Sequence, residues 1–151
     1  MESFVRGRPI EEFDAIDRLL ERTRRIAVLG IKPEARADRP AHQIPLYLAS
    51  AGYEVLPVPV YYPEVERILG WVVHRRLADI PGRIDLVDVF RKPEHLEMHL
   101  PDLLATRPRA VWLQSGIRHD AFAERLLDAG IDVVQDRCIR VEHRRWRSER
   151  G

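Results

Sequence analysis

Ile26-Ala27-Val28-Leu29-Gly30 is the stretch that decides the fold. Four apolar residues without alternation, stopped by a glycine, read as a buried strand that ends in a tight turn. The same pattern recurs along the chain. Residues 53–58, 84–90, 110–114 and 131–134 read as four further strands. Between them lie amphipathic segments with helical spacing. Ile10, Phe13, Ile16, Leu19 and Leu20 form the first stripe. A second helix starts near Pro40, a residue suited to a first helical position, and carries Ile44, Tyr47, Leu48 and Ala51 before Gly52. Pro45 predicts a distorted first turn. A short helix is expected around 64–69, ended by Gly70, and another from about Pro93, interrupted at Pro101. Residues 119–129 give a helix closed by Gly130, and part of 137–146 gives a last short one.

Strands alternating with helices require parallel pairing, because each crossover returns the chain to the same edge. Strands without polar alternation are buried on both faces. The expected architecture is α/β: a Rossmann-like three-layer fold with a five-stranded parallel sheet, order 3-2-1-4-5, and helices on both faces. Ligands in such sheets sit beyond the carboxyl ends of the strands, where the chain order reverses. That order brings the loop after Gly30 opposite Gln114-Ser115-Gly116 and places the end of the third strand near the second.

The chain has 151 residues, 45% hydrophobic and 32% charged. A chain of this size buries about 70% of its unfolded surface, enough for one core. We expect a single domain over 1–151, with its core at about 10–146. One cysteine, Cys138, excludes an internal disulfide and a cysteine-rich zinc site. No apolar run reaches the ~18 residues a membrane helix needs, and the amino terminus does not read as a secretory signal. An intracellular, cytoplasmic protein is expected. The net charge of +1 gives no support to a nucleic-acid partner. Residues 137–151 carry six arginines against two glutamates, and read as a basic, solvated end.

The loop after Gly30 supports two readings. Free amides at the following helix start, with Lys32, Arg36 and Arg39, suit an anion. An ordinary strand–helix turn with exposed arginines fits equally. The fingerprint G-x-G-x-x-G is absent, since Lys32 and Ala35 hold its second and third glycine positions. NAD binding also expects an acid near the end of the second strand. Pro57-Val58-Pro59-Val60 has none there, so ordinary NAD use is disfavoured. After the third strand, Arg91 and Lys92 could meet a phosphate, or Phe90 could be core and Asp88 an ion-pair partner. Ser115 and His119 lack the G-x-S-x-G elbow of a hydrolase. His95 and His99 are four apart, but no H-E-x-x-H motif accompanies them, and we expect neither a metal site nor catalytic residues. Cys138 reads as a buried structural thiol.

The chain resembles the small stand-alone CoA-binding domain proteins, relatives of the nucleotide-binding domain of the succinyl-CoA synthetase alpha subunit. The resemblance rests on the 26–30 stretch, Arg39-Pro40-Ala41-His42, Gly52 through Val58, Leu77 through Pro81, Asp85 through Arg91, Val111 through Arg118 and Asp136 through His143. It implies coenzyme A or an acyl-CoA as ligand. It maps the binding region to Gly30, Ile31, Lys32 and Arg39, to Val58 and Pro59, and to Phe90 and Arg91. Gln114 and Gly116 would lie toward the thiol end. Two positions depart from the family: Lys32 stands where a serine is common, and Val58-Pro59 where Val-Asn is usual. The resemblance implies non-catalytic CoA binding. Two alternatives remain: a regulatory module, homodimeric or bound to another protein through the arginine-rich end, and an enzyme acting on an acyl-CoA or a nicotinamide cofactor.

Overall fold

The computed structural model describes residues 5–150. In chain order the main elements are α1 (Phe13–Arg22), β1 (Arg25–Leu29), α2 (Pro40–Ser50), β2 (Glu54–Val58), β3 (Arg67–Ile68), β4 (Trp71–Val72), β5 (Leu86–Val89), α3 (Leu100–Thr106), β6 (Ala110–Leu113), α4 (Asp120–Asp128), β7 (Asp132–Val134) and α5 (Ile139–Arg150). Strands β2, β1, β5, β6 and β7 form one parallel sheet in that spatial order. The α/β class, the five parallel strands and the helices on both faces are those expected.

The alternation of side chains sends each strand's residues to opposite faces. Ala27, Leu29, Val87, Val89, Val111 and Leu113 join a core closed by Leu100 and Leu103 of α3 and Phe122 and Leu126 of α4. Ile26, Val28, Leu86 and Trp112 join a second core closed by α1, by Ile44 and Leu48 of α2, and by Ile139 and Trp146 of α5. Because both faces are covered, the strands carry apolar residues almost without interruption.

The expected neighbour of the third reading-frame strand is corrected. Residues 86–89 lie beside β1, with Ile26 opposite Leu86 and Leu29 opposite Val89, and not beyond β2. Numbered alone, the five sheet strands run 2-1-3-4-5. The position outside β2 is filled by the hairpin instead. The chain leaving β4 donates the His74 N–H to the Pro57 carbonyl at 2.9 Å. With this hairpin strand counted as the third, the arrangement reads 3-2-1-4-5-6, which contains the 3-2-1-4-5 pattern. Residues 64–69 were expected to be helical, but 67–68 pair with 71–72 in that hairpin. Its turn takes Leu69 and Gly70 to φ 54° and 85°, a conformation a helix forbids. Burial of Ile68 in the core overrides the helical spacing.

Proline accounts for two more differences. The segment from Pro93 is two short 3-10 turns, and α3 then begins with Pro101 in its first turn, where a missing N–H costs nothing. Pro45, in contrast, lies inside α2. Its absent N–H leaves the Ala41 carbonyl without its helical partner. The Lys32 N–H fills that vacancy at 3.1 Å and so ties the loop after β1 to the helix.

The carboxyl end of the chain is also corrected. Rather than a solvated tail, it is α5, twelve residues long, with Ile139, Glu142, His143 and Trp146 buried. Arg145 bridges to Asp17 of α1 at 2.6 Å and to Glu142 at 3.1 Å.

Candidate functional site

Gly30 ends β1 at φ 89°, and a Cβ at this position would overlap the Phe90 carbonyl oxygen. Its N–H donates to the Val58 carbonyl at 2.9 Å, and the Phe90 N–H donates to the Leu29 carbonyl at 2.8 Å. The glycine therefore lets the ends of β1, β2 and β5 close on one another. The close approach at this glycine is made by the protein's own backbone. Ile31 and Val58 are almost wholly buried in the core, and Pro59 is buried too. Gly30, Ile31, Val58 and Pro59 thus form the floor and edge of the rim and do not face the cavity beside it.

That cavity lies at the carboxyl ends of β1, β5 and β6 and has a volume of about 470 Å³. Lys32, Arg39, Phe90, Arg91, Gln114 and Gly116 line it, six of the residues singled out from the sequence. The fold also brings in Lys92, Ser115 and Cys138, with an apolar wall from Pro40, Ala41, Ile44 and Ile117. The signal that could have found Cys138 was its position just past the carboxyl end of the last strand. It is half-buried at the start of α5.

Four cations therefore share one concave surface, and no carboxylate is among its described lining residues. Three of the four have an identifiable contact. Lys32 is fixed at its backbone, since its N–H reaches Ala41 and its carbonyl accepts a hydrogen bond from His42 Nδ1 at 2.9 Å. A carbonyl only accepts, so the proton of His42 sits on Nδ1. Arg39 is the N-cap residue of α2, with no side-chain cap, and its Nε is 4.0 Å from Asp38. Arg91 Nε donates to His99 Nε2 at 3.1 Å. Burial first, and the Arg91 charge second, push the His99 imidazole down to about 4, so it is neutral and able to accept this bond near pH 7.

Beneath the cavity, Gln114 is committed to the protein itself. Its Nε2 donates to Asp88 Oδ1, and its Oε1 accepts from the Ile139 N–H at 3.4 Å. The Asp88 carboxyl is completely buried, and its Oδ2 has no hydrogen-bond partner among the described residues. Burial pushes its pKa up to about 7, opposed by the Gln114 bond. Gln114 thus joins β5, β6 and the start of α5 and fixes the cavity floor.

The remaining polar candidates have structural work. His119 Nδ1 caps α4 by accepting from the Phe122 N–H at 3.1 Å. His143, expected to be solvated, is buried and accepts from the Tyr47 hydroxyl at 2.7 Å when Nδ1 is unprotonated. Among the described residues no group of three or more His, Cys, Asp or Glu side chains is placed to hold a metal ion, and no helix is long and apolar enough to cross a membrane.

The parallel sheet, with a cationic cavity on its carboxyl rim, defines a Rossmann-like α/β protein. The chain belongs to the CoA binding domain family, whose profile matches residues 24–144. It is 35% identical over 128 residues to the uncharacterized protein YneT of Bacillus subtilis (strain 168), covering 85% of this chain and 91% of that one. Among solved structures it is similar to cell-free ID.343 from Thermus thermophilus, at 43% identity and a TM-score of 0.82, covering 90% of this chain and 99% of that one. A hypothetical protein from Pyrococcus horikoshii OT3 matches at 30% identity and a TM-score of 0.82, covering 97% and 99% of the two chains.

Proposed function

We propose that this protein binds coenzyme A or an acyl-CoA, without acting on it, in the cavity at the carboxyl rim of the sheet. One observation carries the reading: Lys32, Arg39, Arg91 and Lys92 converge on a single cavity that also has apolar lining from Pro40, Ala41, Ile44 and Ile117. The ligand has phosphates at one end and a pantetheine arm at the other, so it can use both kinds of surface. The pyrophosphate would meet Lys32, Arg39 and Arg91. The amino-terminal end of α2, which begins at Pro40, would add its partial positive charge. The arm would run toward Gln114 and Gly116. Bound CoA would supply a thiol or thioester. Ser115 and Cys138 also line the cavity, with no histidine or carboxylate among its described lining residues to act as their base.

Calorimetric titration with CoA, and with NAD as control, tests the reading. Saturable micromolar heat with CoA and none with NAD is expected. Equal response to both ligands, or none to CoA, would overturn it. Within the site, Arg39→Ala is expected to weaken CoA binding by about 1–3 kcal/mol, the range for losing a charged hydrogen bond. An unchanged affinity would remove Arg39 from the site.

A further inference from the structure

Two consecutive tyrosines stand over two of the cavity's cations. Lys32 Nζ lies 5.7 Å from the centroid of the Tyr62 ring, and the Arg91 guanidinium lies 5.7 Å from that of Tyr61. The cations come from different strands, Lys32 from the end of β1 and Arg91 from the end of β5. The tyrosines follow β2, on the far side of β1 from β5. One dipeptide therefore reaches across the rim to both.

The dipeptide is itself held firmly. Tyr62 adopts φ 67°, a left-handed conformation costly for a bulky residue. Its carbonyl accepts from the Val65 N–H at 3.1 Å and from Arg75 at 3.2 Å. Arg75 also donates to the carbonyls of Pro63 at 3.2 Å and Val65 at 2.6 Å. The hairpin beyond is tied to the loop after β1, since the Leu69 N–H donates to Glu34 Oε2 at 2.8 Å. The strained backbone at Tyr62, directly after Tyr61, is thus fixed from several directions.

We propose that Tyr61 and Tyr62 are positioning residues for the diphosphate part of the ligand, holding Lys32 and Arg91 ready to receive it. A ring face is suited to this task. A carboxylate would hold a cation but cancel its charge. An aromatic quadrupole holds it and leaves the charge available to an incoming anion. Long cationic side chains lose much rotamer freedom when they grip a ligand. Restraining them beforehand removes part of that cost from the binding step. The inference rests on the CoA reading but narrows it, because it assigns this edge of the site to a nucleoside diphosphate group and not to the thiol arm.

The test is a titration of wild type, Tyr61→Leu, Tyr62→Leu and Tyr62→Phe with three probes: CoA, ADP and pantetheine. Each leucine variant is expected to weaken CoA and ADP by roughly three- to tenfold. Tyr62→Phe, which keeps the ring, should stay within about twofold of wild type. Pantetheine affinity should not change in any variant. Tyr61 is 61% exposed, so Tyr61→Leu tests the idea even if the strained Tyr62 position tolerates no leucine. If wild type binds CoA and both leucine variants bind it equally well, the tyrosines have no such role and the CoA reading stands. If CoA fails to bind while ADP binds with the expected tyrosine dependence, the CoA reading falls and this inference survives. Loss of pantetheine affinity in step with ADP would mark a general structural effect and overturn the inference, as would failure of every probe to bind.

Discussion

Asp88 is the residue on which the fold acts most strongly. Its carboxyl is wholly buried, with Oδ1 bonded to Gln114 and Oδ2 unpartnered among the described residues. Burial raises its pKa from 3.8 to about 7, so the folded protein keeps a proton that the unfolded chain releases. The stability tied to that proton is fully present below about pH 4 and is lost as the pH rises through 7. Asp88→Asn keeps an acceptor for Gln114 and abolishes the titration. Relative to wild type, the variant is expected to gain stability between pH 4 and 7, by about 1–4 kcal/mol in total, and to hold that gain above pH 7. Denaturant unfolding of both proteins from pH 4 to 9 measures it. A constant difference across that range would show that Asp88 does not titrate as its burial implies. Gly30 illustrates the limit of local reading: its place at a strand end was legible, but the atom pressing on it, the Phe90 carbonyl, comes from a strand sixty residues away.

At the scale of elements, α5 is the main surprise. Its composition is that of a solvated basic segment, yet Trp146 is buried and lies edge-on to His143 at 5.5 Å. Arg145 sits over the Phe13 ring at 4.2 Å and bridges to Asp17. The hydrogen bond to Asp17 holds its pKa above the ordinary arginine value; burial is the next-largest effect and opposes it, and Glu142 adds to the rise. The arginines are therefore partly anchors for α1, and the helix closes one face of the sheet. Trp146→Ala is expected to cost about 3 kcal/mol, the scale for deleting a large buried aromatic. Equilibrium urea unfolding checks this. A loss under about 0.5 kcal/mol would return α5 to the status of a surface helix.

At the scale of the whole molecule, ligand and fold are coupled, because the cavity exists only when β1, β5, β6 and the starts of α2 and α5 are assembled. CoA at about 100 times its dissociation constant should add roughly 2.7 kcal/mol to unfolding. The melting temperature should then rise by about 5–11 °C, and NAD should leave it unchanged. A melting curve indifferent to saturating CoA would break the proposed coupling. The sequence by itself determined which segments become buried strands, because runs such as Ile26-Ala27-Val28-Leu29 carry their own apolar signal and stop at a turn residue. It also marked the rim of the sheet on which Lys32, Arg91 and Gln114 lie, since all three follow strand ends, with Arg39 at the start of the next helix. Only the tertiary structure decided which strand lies beside β1, that residues 67–72 pair as a hairpin, and that the basic end packs as α5. Those outcomes depend on Ile68, Trp146 and the strand edges finding partners distant in the chain, and local periodicity carries no information about such partners.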